Sequence, residues 1–275
     1  MKTFTNERGA SLAYSDHGEG QVILAIHGAY STHAEIEAIL EPILAPLGGY
    51  RRISPDLPGM GDSPGHETIE TSVDVIALLE DLVDQTVHDQ PLIVVGHSYG
   101  AHIARGLAAR RPGQVAGLAL ICPLVPGMRG ADHEIAIAQD DAATLVAEEL
   151  RDDYLNYFVV HTHVTAQRFN EAVRPSIGRF DPDVVDQIMH AGDLAPDPDH
   201  TPFDQPVLVL LGRNDSLVGY RKQLELIDVY PRATLLLVEG AGHALPHERP
   251  ALLRSVTVEW LTQLEPHADI DPSDP

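Results

Sequence analysis

Runs of consecutive apolar residues recur along the chain and are separated by amphipathic segments. They occupy residues 22–26, 92–95, 115–121 and 207–211, with weaker candidates at 50–54 and 234–238. Continuous apolar runs, unlike alternating ones, indicate strands that are covered on both faces, as in a parallel sheet. The pattern therefore predicts an α/β fold in which helices flank a mostly parallel sheet.

The segments between these runs have helical spacing. One helix face is predicted by apolar residues that recur every three or four positions, namely Ile69, Val73, Ile76, Leu79 and Val83. A last helix is predicted to begin near Pro250, because proline is tolerated in the first turn of a helix. At the start of the chain, segments 2–5 and 11–15 flank a short polar turn and predict a hairpin at the edge of the sheet.

The rhythm of apolar runs stops between residues 125 and 203, where helical and polar segments replace it. This stretch ends in residues 195–202, which are rich in proline and aspartate, as is typical of a connector. We expect residues 125–203 to form a helical cap over the carboxyl ends of the strands, where ligands bind in open α/β sheets. Residues 1–124 and 204–265 then form the core, and the acidic tail 266–275 is expected to be disordered.

The composition is that of a globular protein with a strong negative charge. The 275 residues include 41 acidic and 18 basic side chains, which gives a formal charge of −23 at pH 7. This charge repels phosphate backbones and anionic membranes, so we expect neither nucleic acid nor a membrane as a partner. The amino terminus lacks an apolar signal core and there is one cysteine, so a cytoplasmic protein is predicted. The oligomeric state stays open.

The strongest chemical signal is the sequence Gly96-His97-Ser98-Tyr99-Gly100. It matches the G-x-S-x-G pattern, in which a serine occupies a sharp turn between a buried strand and a helix. An apolar run precedes the motif and a helical pattern follows it. Glycine is needed two residues before and after the serine, because a Cβ there would collide with neighbouring elements. The motif therefore predicts Ser98 as a nucleophile.

A serine hydroxyl is a weak nucleophile and needs a base that is oriented by a third group. Asp215 comes shortly after the apolar run 207–211, and His243 lies on a glycine-flanked loop after the run 234–238. The chain order of serine, acid and histidine is the one expected with this elbow. We therefore expect Ser98, Asp215 and His243 to meet at the carboxyl edge of the sheet, with His247 as the alternative base.

With these motifs, the chain resembles the α/β-hydrolase superfamily, in particular its small capped, esterase-like serine hydrolases. The resemblance spans nearly the whole chain and rests on His27-Gly28-Ala29-Tyr30, Asp56-Leu57-Pro58-Gly59-Met60-Gly61-Asp62-Ser63, the Ser98 elbow, Gly212-Arg213-Asn214-Asp215 and Gly242-His243. It implies an eight-stranded, mostly parallel sheet and a catalytic triad. It also implies an oxyanion hole formed by the main-chain N–H groups of Ala29 and Tyr99. Neither a metal nor another cofactor is expected.

Several residues close to the predicted strand ends are candidates for contact with a small-molecule substrate. They are His27, Tyr30, Leu124, Val125, Leu217 and Val218. Four of the six are aliphatic, which favours a substrate with an apolar acyl or alcohol group. For Tyr30, an ordinary packing role is an equal alternative.

We expect the triad to hydrolyse a carboxylic ester or a lactone through an acyl-enzyme. The same residues serve carbon–carbon bond hydrolases of diketones, aminopeptidases and cofactor-free perhydrolases. A ligand-binding or receptor protein with low turnover is a further alternative. Serine at the elbow argues against the haloalkane dehalogenase and epoxide hydrolase branches, which use aspartate there. The cap, whose specificity cannot be read from one sequence, decides between the remaining activities.

Overall fold

The structure is a computed structural model that describes residues 1–130, 134–139, 141–190 and 194–264. Its strands are β1 (Lys2–Thr5), β2 (Ser11–His17), β3 (Gln21–Ile26), β4 (Tyr50–Pro55), β5 (Leu92–His97), β6 (Val115–Ile121), β7 (Ile137–Ala138), β8 (Val160–His161), β9 (Val207–Gly212) and β10 (Ala233–Val238). Its helices are α1 (His33–Leu47), α2 (Ser72–Thr86), α3 (Tyr99–Arg110), α4 (Arg151–Tyr157), α5 (His163–Arg168), α6 (Pro182–His190), α7 (Leu226–Val229), α8 (Leu245–Glu248) and α9 (Pro250–Thr262). The tail 266–275, predicted to be disordered, lies outside the described residues.

In the described part of the chain, eight strands form one sheet in the order β1-β2-β4-β3-β5-β6-β9-β10. The pairs β1–β2 and β2–β4 are antiparallel, and all the other pairs are parallel. Strands β5 and β9 are buried along their whole length, as their continuous apolar sequences require. The predicted fold, an eight-stranded and mostly parallel sheet flanked by helices, is confirmed.

Helices cover both faces of the sheet and create two apolar cores. On β5, Val94 packs in the core that contains α2 and α3, whereas its neighbour Ile93 packs in the core formed by α1 and α9. Successive side chains of a strand point to opposite faces, so each central strand supplies both cores. For this reason, the sequence of each central strand is a continuous run of apolar residues.

Helix α2 begins later than the apolar spacing predicts. Ile69 was expected on the helix, but it precedes the helix and is buried in the same core as α2. Thr71 ends the preceding turn: its hydroxyl accepts a bond from the N–H of Asp74 at 3.2 Å, and the Asp74 carboxylate accepts one from the N–H of Thr71 at 2.9 Å. This capping box fixes the helix start at Ser72.

The segment between β6 and β9 contains α4, α5 and α6 and a third apolar cluster. Tyr154, Phe158 and Phe169 pack their rings with centroids 5.2 to 6.2 Å apart. The segment is attached to the loop after β4, where the N–H of Asp181 donates to the carbonyl of Gly59 at 2.7 Å. It is therefore tied to the carboxyl edge of the sheet. In the described part of the chain, no helix has the length and apolar character needed to span a bilayer.

We expect Gly100→Ala to destabilise the protein strongly. A Cβ at Gly100 would lie 2.2 Å from the carbonyl oxygen of Ile26 and 2.4 Å from that of His27. Backbone atoms cannot yield cheaply, so the free energy of unfolding should fall by about 3 kcal/mol. Urea unfolding measures the change. Gly113→Ala is the matched control, because nothing lies within 4 Å of its Cβ position. Equal stability of the two variants would contradict the steric argument.

Candidate active site

Ser98 occupies the sharp turn between β5 and α3, with φ of 55° and ψ of −119°. Residues other than glycine rarely adopt this backbone conformation, which costs about 1–3 kcal/mol. Main-chain bonds hold the turn in place. The N–H of Ser98 donates to the carbonyl of Ile121 at 2.9 Å, and the N–H of Leu124 donates to the carbonyl of Ser98 at 3.1 Å. The end of β6 and the loop after it therefore keep the strained serine at the carboxyl edge of the sheet.

The two glycines of the elbow motif are required by the backbone around them. A Cβ at Gly96 would lie 2.4 Å from the carbonyl oxygen of Gly100, and Gly100 abuts the end of β3. Gly28, in the turn after β3, is also close, because its Cβ position lies 3.2 Å from the Cβ of Ser98. The turn that carries Ala29 is thus packed directly against the elbow.

The predicted oxyanion donors lie on these two packed turns. Tyr99 is the first residue of α3, and an N–H at this position has no acceptor within its own helix. Ala29 lines the same cavity as Ser98. The side chain of Tyr99 points elsewhere, since its hydroxyl lies 3.0 Å from the hydroxyl of Ser72 inside the core. Any contribution of Tyr99 at this site is therefore made by its main chain.

Asp215 and His243 form a buried hydrogen-bonded pair. Oδ2 of Asp215 lies 2.8 Å from Nδ1 of His243, and Oδ1 accepts bonds from the N–H groups of Leu217 and Val218 at 3.0 and 2.9 Å. Burial alone would raise the pKa of Asp215, but His243 and the two N–H groups outweigh it and lower that pKa. Asp215 is therefore ionised, and its Oδ2 accepts a hydrogen bond from the N–H at Nδ1 of the imidazole.

The loops that carry this pair are packed backbone against backbone. The N–H of Asn214 donates to the carbonyl of Ala241 at 2.9 Å. A Cβ at Gly212 would lie 2.3 Å from the carbonyl oxygen of Gly242. The loops after β9 and β10 therefore approach as closely as glycine allows, which places the carboxylate beside the imidazole.

Ser98 and His243 line one cavity of about 420 Å³. Within the described part of the chain, the main chain of Ser98 makes its hydrogen bonds, and its hydroxyl is not hydrogen-bonded to the imidazole of His243. Four predicted substrate contacts also lie on the wall: Tyr30, Leu124, Leu217 and Val218. Further apolar wall residues are Met128, Phe169, Val173, Ile177, Phe180 and Met189. The core and the segment between β6 and β9 thus enclose the cavity together.

Two of the predicted substrate contacts lie away from this cavity. The buried ring of His27 is bonded to the main chain, with Nε2 accepting from the N–H of Leu57 at 2.9 Å and Nδ1 lying 2.7 Å from the carbonyl of Gly28. Val125 is buried in the core and borders a different cavity, beside Arg105. Both residues follow a strand end in the sequence, but their side chains turn inward. Neither residue belongs to the described wall of the cavity that Ser98 lines.

A buried polar group on the cavity wall was missed from the sequence. Glu35, on α1, accepts hydrogen bonds from the hydroxyl of Ser31 at 2.5 Å and from that of Tyr157 at 2.9 Å. Nε2 of His247 lies 3.1 Å from the same carboxylate. His247, the alternative base, is therefore occupied by Glu35. The signal available in the sequence was the position of Glu35 four residues before Ile39, on the apolar face of α1.

Glu248 joins the histidine loop to the segment between β6 and β9. Its carboxylate accepts bonds from the N–H groups of Gly242 at 2.6 Å, Val159 at 2.7 Å and Val160 at 3.0 Å. Burial raises the pKa of Glu248, although these three donors oppose the shift. The bond from the N–H of Gly242 to Glu248 fixes the residue that precedes His243. Glu248 also brings Tyr157 close to the site, where the centroids of the Tyr157 and His243 rings lie 5.9 Å apart.

Three potential metal ligands lie within 4.8 Å of one another: His97, Cys122 and His243. Within the described part of the chain, these side chains are hydrogen-bonded to main-chain carbonyl groups or, in the case of His243, to Asp215. His97 Nε2 is 3.2 Å from the carbonyl of His243, and the Cys122 thiol is 3.7 Å from that of Gly242. Burial raises the pKa of the Cys122 thiol well above its usual range. The Cys122 thiol is therefore protonated at neutral pH.

Comparison with known proteins shows to which hydrolases the chain is similar. A sequence profile of the alpha/beta hydrolase family matches residues 22–256. Lipase LipV of Mycobacterium tuberculosis is 46% identical over 74 residues, which cover 26% of this chain and 27% of that protein. The 2-hydroxy-6-oxononadienedioate/2-hydroxy-6-oxononatrienedioate hydrolase 2 of Pseudomonas putida is 26% identical over 282 residues, 91% of each chain.

A solved structure shows the same fold. The crystal structure of an alpha/beta superfamily hydrolase from Oenococcus oeni PSU-1 superposes with a TM-score of 0.86 at 24% sequence identity. The alignment covers 97% of this chain and 100% of that chain. The similarity therefore extends over the sheet, its flanking helices and the segment between β6 and β9.

We expect Glu248→Gln to loosen the histidine loop. Glutamine keeps one acceptor oxygen, but its amide group must then face an N–H donor that the carboxylate now satisfies. The free energy of unfolding should fall by about 2 kcal/mol, and the amide of Gly242 should exchange with solvent faster. Urea unfolding and hydrogen exchange measure both effects. Glu259→Gln, on the exposed side of α9, removes the same charge and should change neither; similar behaviour of the two variants would contradict the role of Glu248.

Proposed function

We propose, since the chain belongs to the alpha/beta hydrolase family, that it hydrolyses carboxylic esters or lactones with Ser98 as nucleophile. One observation carries the proposal. Ser98 sits in a strained turn and lines the same apolar cavity as His243, whose Nδ1 is held 2.8 Å from the buried carboxylate of Asp215. This arrangement supports Ser98 as the nucleophile, His243 as the base and Asp215 as the orienting acid.

In the proposed first step, Nε2 of His243 takes the proton of Ser98 as the hydroxyl oxygen attacks the substrate carbonyl. Asp215 fixes the tautomer in which Nδ1 carries a proton, and it stabilises the imidazolium that forms. The N–H groups of Ala29 and Tyr99 stabilise the oxyanion, a contribution that is typically worth about 10²–10³ in turnover for each donor. His243 then protonates the alcohol that leaves, and an acyl-enzyme remains.

In the second step, His243 activates a water molecule that attacks the acyl-enzyme. The acid is released and Ser98 recovers its proton. The hydrogen bond between a catalytic hydroxyl and its base is often long in the absence of substrate and shortens in the reacting complex. A rotation of the serine hydroxyl toward the imidazole, within a cavity that both groups line, is the adjustment that the mechanism needs.

A second candidate is hydrolysis of a carbon–carbon bond in a diketone. It is supported by the similarity to the Pseudomonas putida hydrolase, whose name gives a dicarboxylate substrate and whose alignment covers 91% of this chain. The same triad serves both reactions, so the catalytic residues do not discriminate between them. The ester proposal is favoured because the apolar wall of the cavity suits a neutral acyl or alcohol group.

We expect a fluorophosphonate probe to label the wild-type protein rapidly at Ser98. Labelling at a single serine, located by mass spectrometry, should disappear in Ser98→Ala and persist in Ser255→Ala, an exposed serine on α9. Asp215→Asn should lower kcat by about 10⁴, because the wrong imidazole tautomer is favoured. Labelling without turnover on any substrate would instead indicate a ligand-binding protein of this fold.

A substrate panel tests the bond that is cleaved. It consists of esters of graded acyl length, lactones, vinylogous diketones and amino-acid anilides. We expect kcat/KM to be highest for esters or lactones with apolar groups that fit about 420 Å³. Turnover of the diketones alone would overturn the ester proposal and establish the carbon–carbon reaction in its place.

A further inference from the structure

The proposed ester hydrolysis leaves the buried carboxylate on the described cavity wall without a role. Glu35 is 5% exposed and lines the cavity together with Ser98. Burial opposes its ionisation, but the bonds from His247 and Ser31 outweigh this effect and lower its pKa to about 2. The carboxylate is therefore negatively charged at neutral pH. It has about four acceptor sites, of which Ser31, Tyr157 and His247 occupy three.

The cavity wall formed by the described residues carries two acidic side chains and neither a lysine nor an arginine. The acidic residues are Glu35 and Asp153. The residues outside the described ranges contain no lysine or arginine either. His97, the wall histidine next to the elbow, has its pKa lowered to about 4 by burial and by His243, so it is neutral at pH 7.

This distribution of charge discriminates between substrates. An anionic group in the cavity would be enclosed with the Glu35 carboxylate at a low effective dielectric, and no lysine or arginine of the described wall would neutralise it. His247, the ring partner of Glu35 at 3.1 Å, does not belong to the wall. A cationic group would be attracted by the same carboxylate. A neutral apolar group would bind through the aliphatic and aromatic wall.

We propose that Glu35 is a specificity residue that makes the Ser98 cavity favour cationic and neutral esters over esters that bear a carboxylate. The inference rests on the proposed ester hydrolysis and deepens it. Glu35 is not assigned a part in bond cleavage. Its carboxylate acts on the part of the substrate that lies beside Ser31 and Tyr157, through charge and through its remaining acceptor site.

Three butyrate esters of similar size test the proposal. Their alcohol groups end in trimethylammonium, in tert-butyl and in carboxylate, and acid release at constant pH gives kcat/KM for each. For the wild type we expect the trimethylammonium ester to equal or exceed the tert-butyl ester. The carboxylate ester should be slower than the tert-butyl ester by about tenfold or more, as expected for like charges in a partly screened cavity. Equal rates for the carboxylate and tert-butyl esters would overturn the proposal.

Glu35→Gln identifies the source of the discrimination. The variant keeps a polar side chain of the same size and should reduce the preference against the carboxylate ester by about tenfold. Glu37→Gln is the matched control, because it removes one charge from the same helix at a residue outside the cavity wall. The assignment to Glu35 would be overturned if Glu35→Gln left the ratio of kcat/KM between the tert-butyl and carboxylate esters unchanged. It would also be overturned if Glu37→Gln lowered this ratio equally.

The outcomes separate this inference from the proposed function. If none of the three esters is hydrolysed while the protein is folded, the ester proposal itself fails and the specificity inference falls with it. If the tert-butyl ester is hydrolysed and the charge preference is absent, the specificity inference alone fails. Should Glu35→Gln not fold, the ranking of the three esters by the wild type still decides, since a preference for the carboxylate ester would contradict the charge of the wall.

Discussion

Close approach of main-chain segments at the carboxyl edge of the sheet is the constraint on which the site depends. Gly100 lies against the end of β3, Gly28 against Ser98, and Gly212 against Gly242, each at a distance that leaves little or no room for a Cβ. The turns after β3 and β5 are thereby packed against each other, and so are the loops after β9 and β10. The side chains of Ser98, Asp215 and His243 inherit their positions from this packing.

Three buried carboxylates near the site differ in their hydrogen-bond partners and in the direction of their pKa shifts. Asp215 accepts from His243 and two N–H groups, and Glu248 accepts from three N–H groups. Glu35 accepts from two hydroxyls and a histidine. The pKa of Asp215 and that of Glu35 are lowered, because a histidine is among their partners, whereas burial dominates at Glu248 and raises its pKa. Burial alone therefore does not determine the charge of an acidic residue here.

The sequence predicts those features that depend on local sterics or on the period of apolar residues. The strands of the main sheet agree with the apolar runs to within two residues, and the turn around Ser98 follows from its glycines. Side-chain direction after a strand is not local, which is why His27 and Val125 turn inward against expectation. Glu35 could not be paired in advance, because Tyr157 and His247 lie 122 and 212 residues away in the chain.

Tyr157 connects the predicted triad to the charged part of the cavity. Its hydroxyl donates to Glu35 at 2.9 Å, and its ring meets the His243 ring at 5.9 Å between centroids. Tyr157 is the last residue of α4, and the next two residues, Phe158 and Val159, are held by the third apolar cluster and by Glu248. A substitution at Tyr157 would therefore disturb both His243 and the carboxylate of Glu35. Glu35 contacts Ser31 and Tyr157 on the cavity wall and has no described hydrogen bond to the imidazole of His243, so its substitution separates the proposed selectivity from the proposed catalysis.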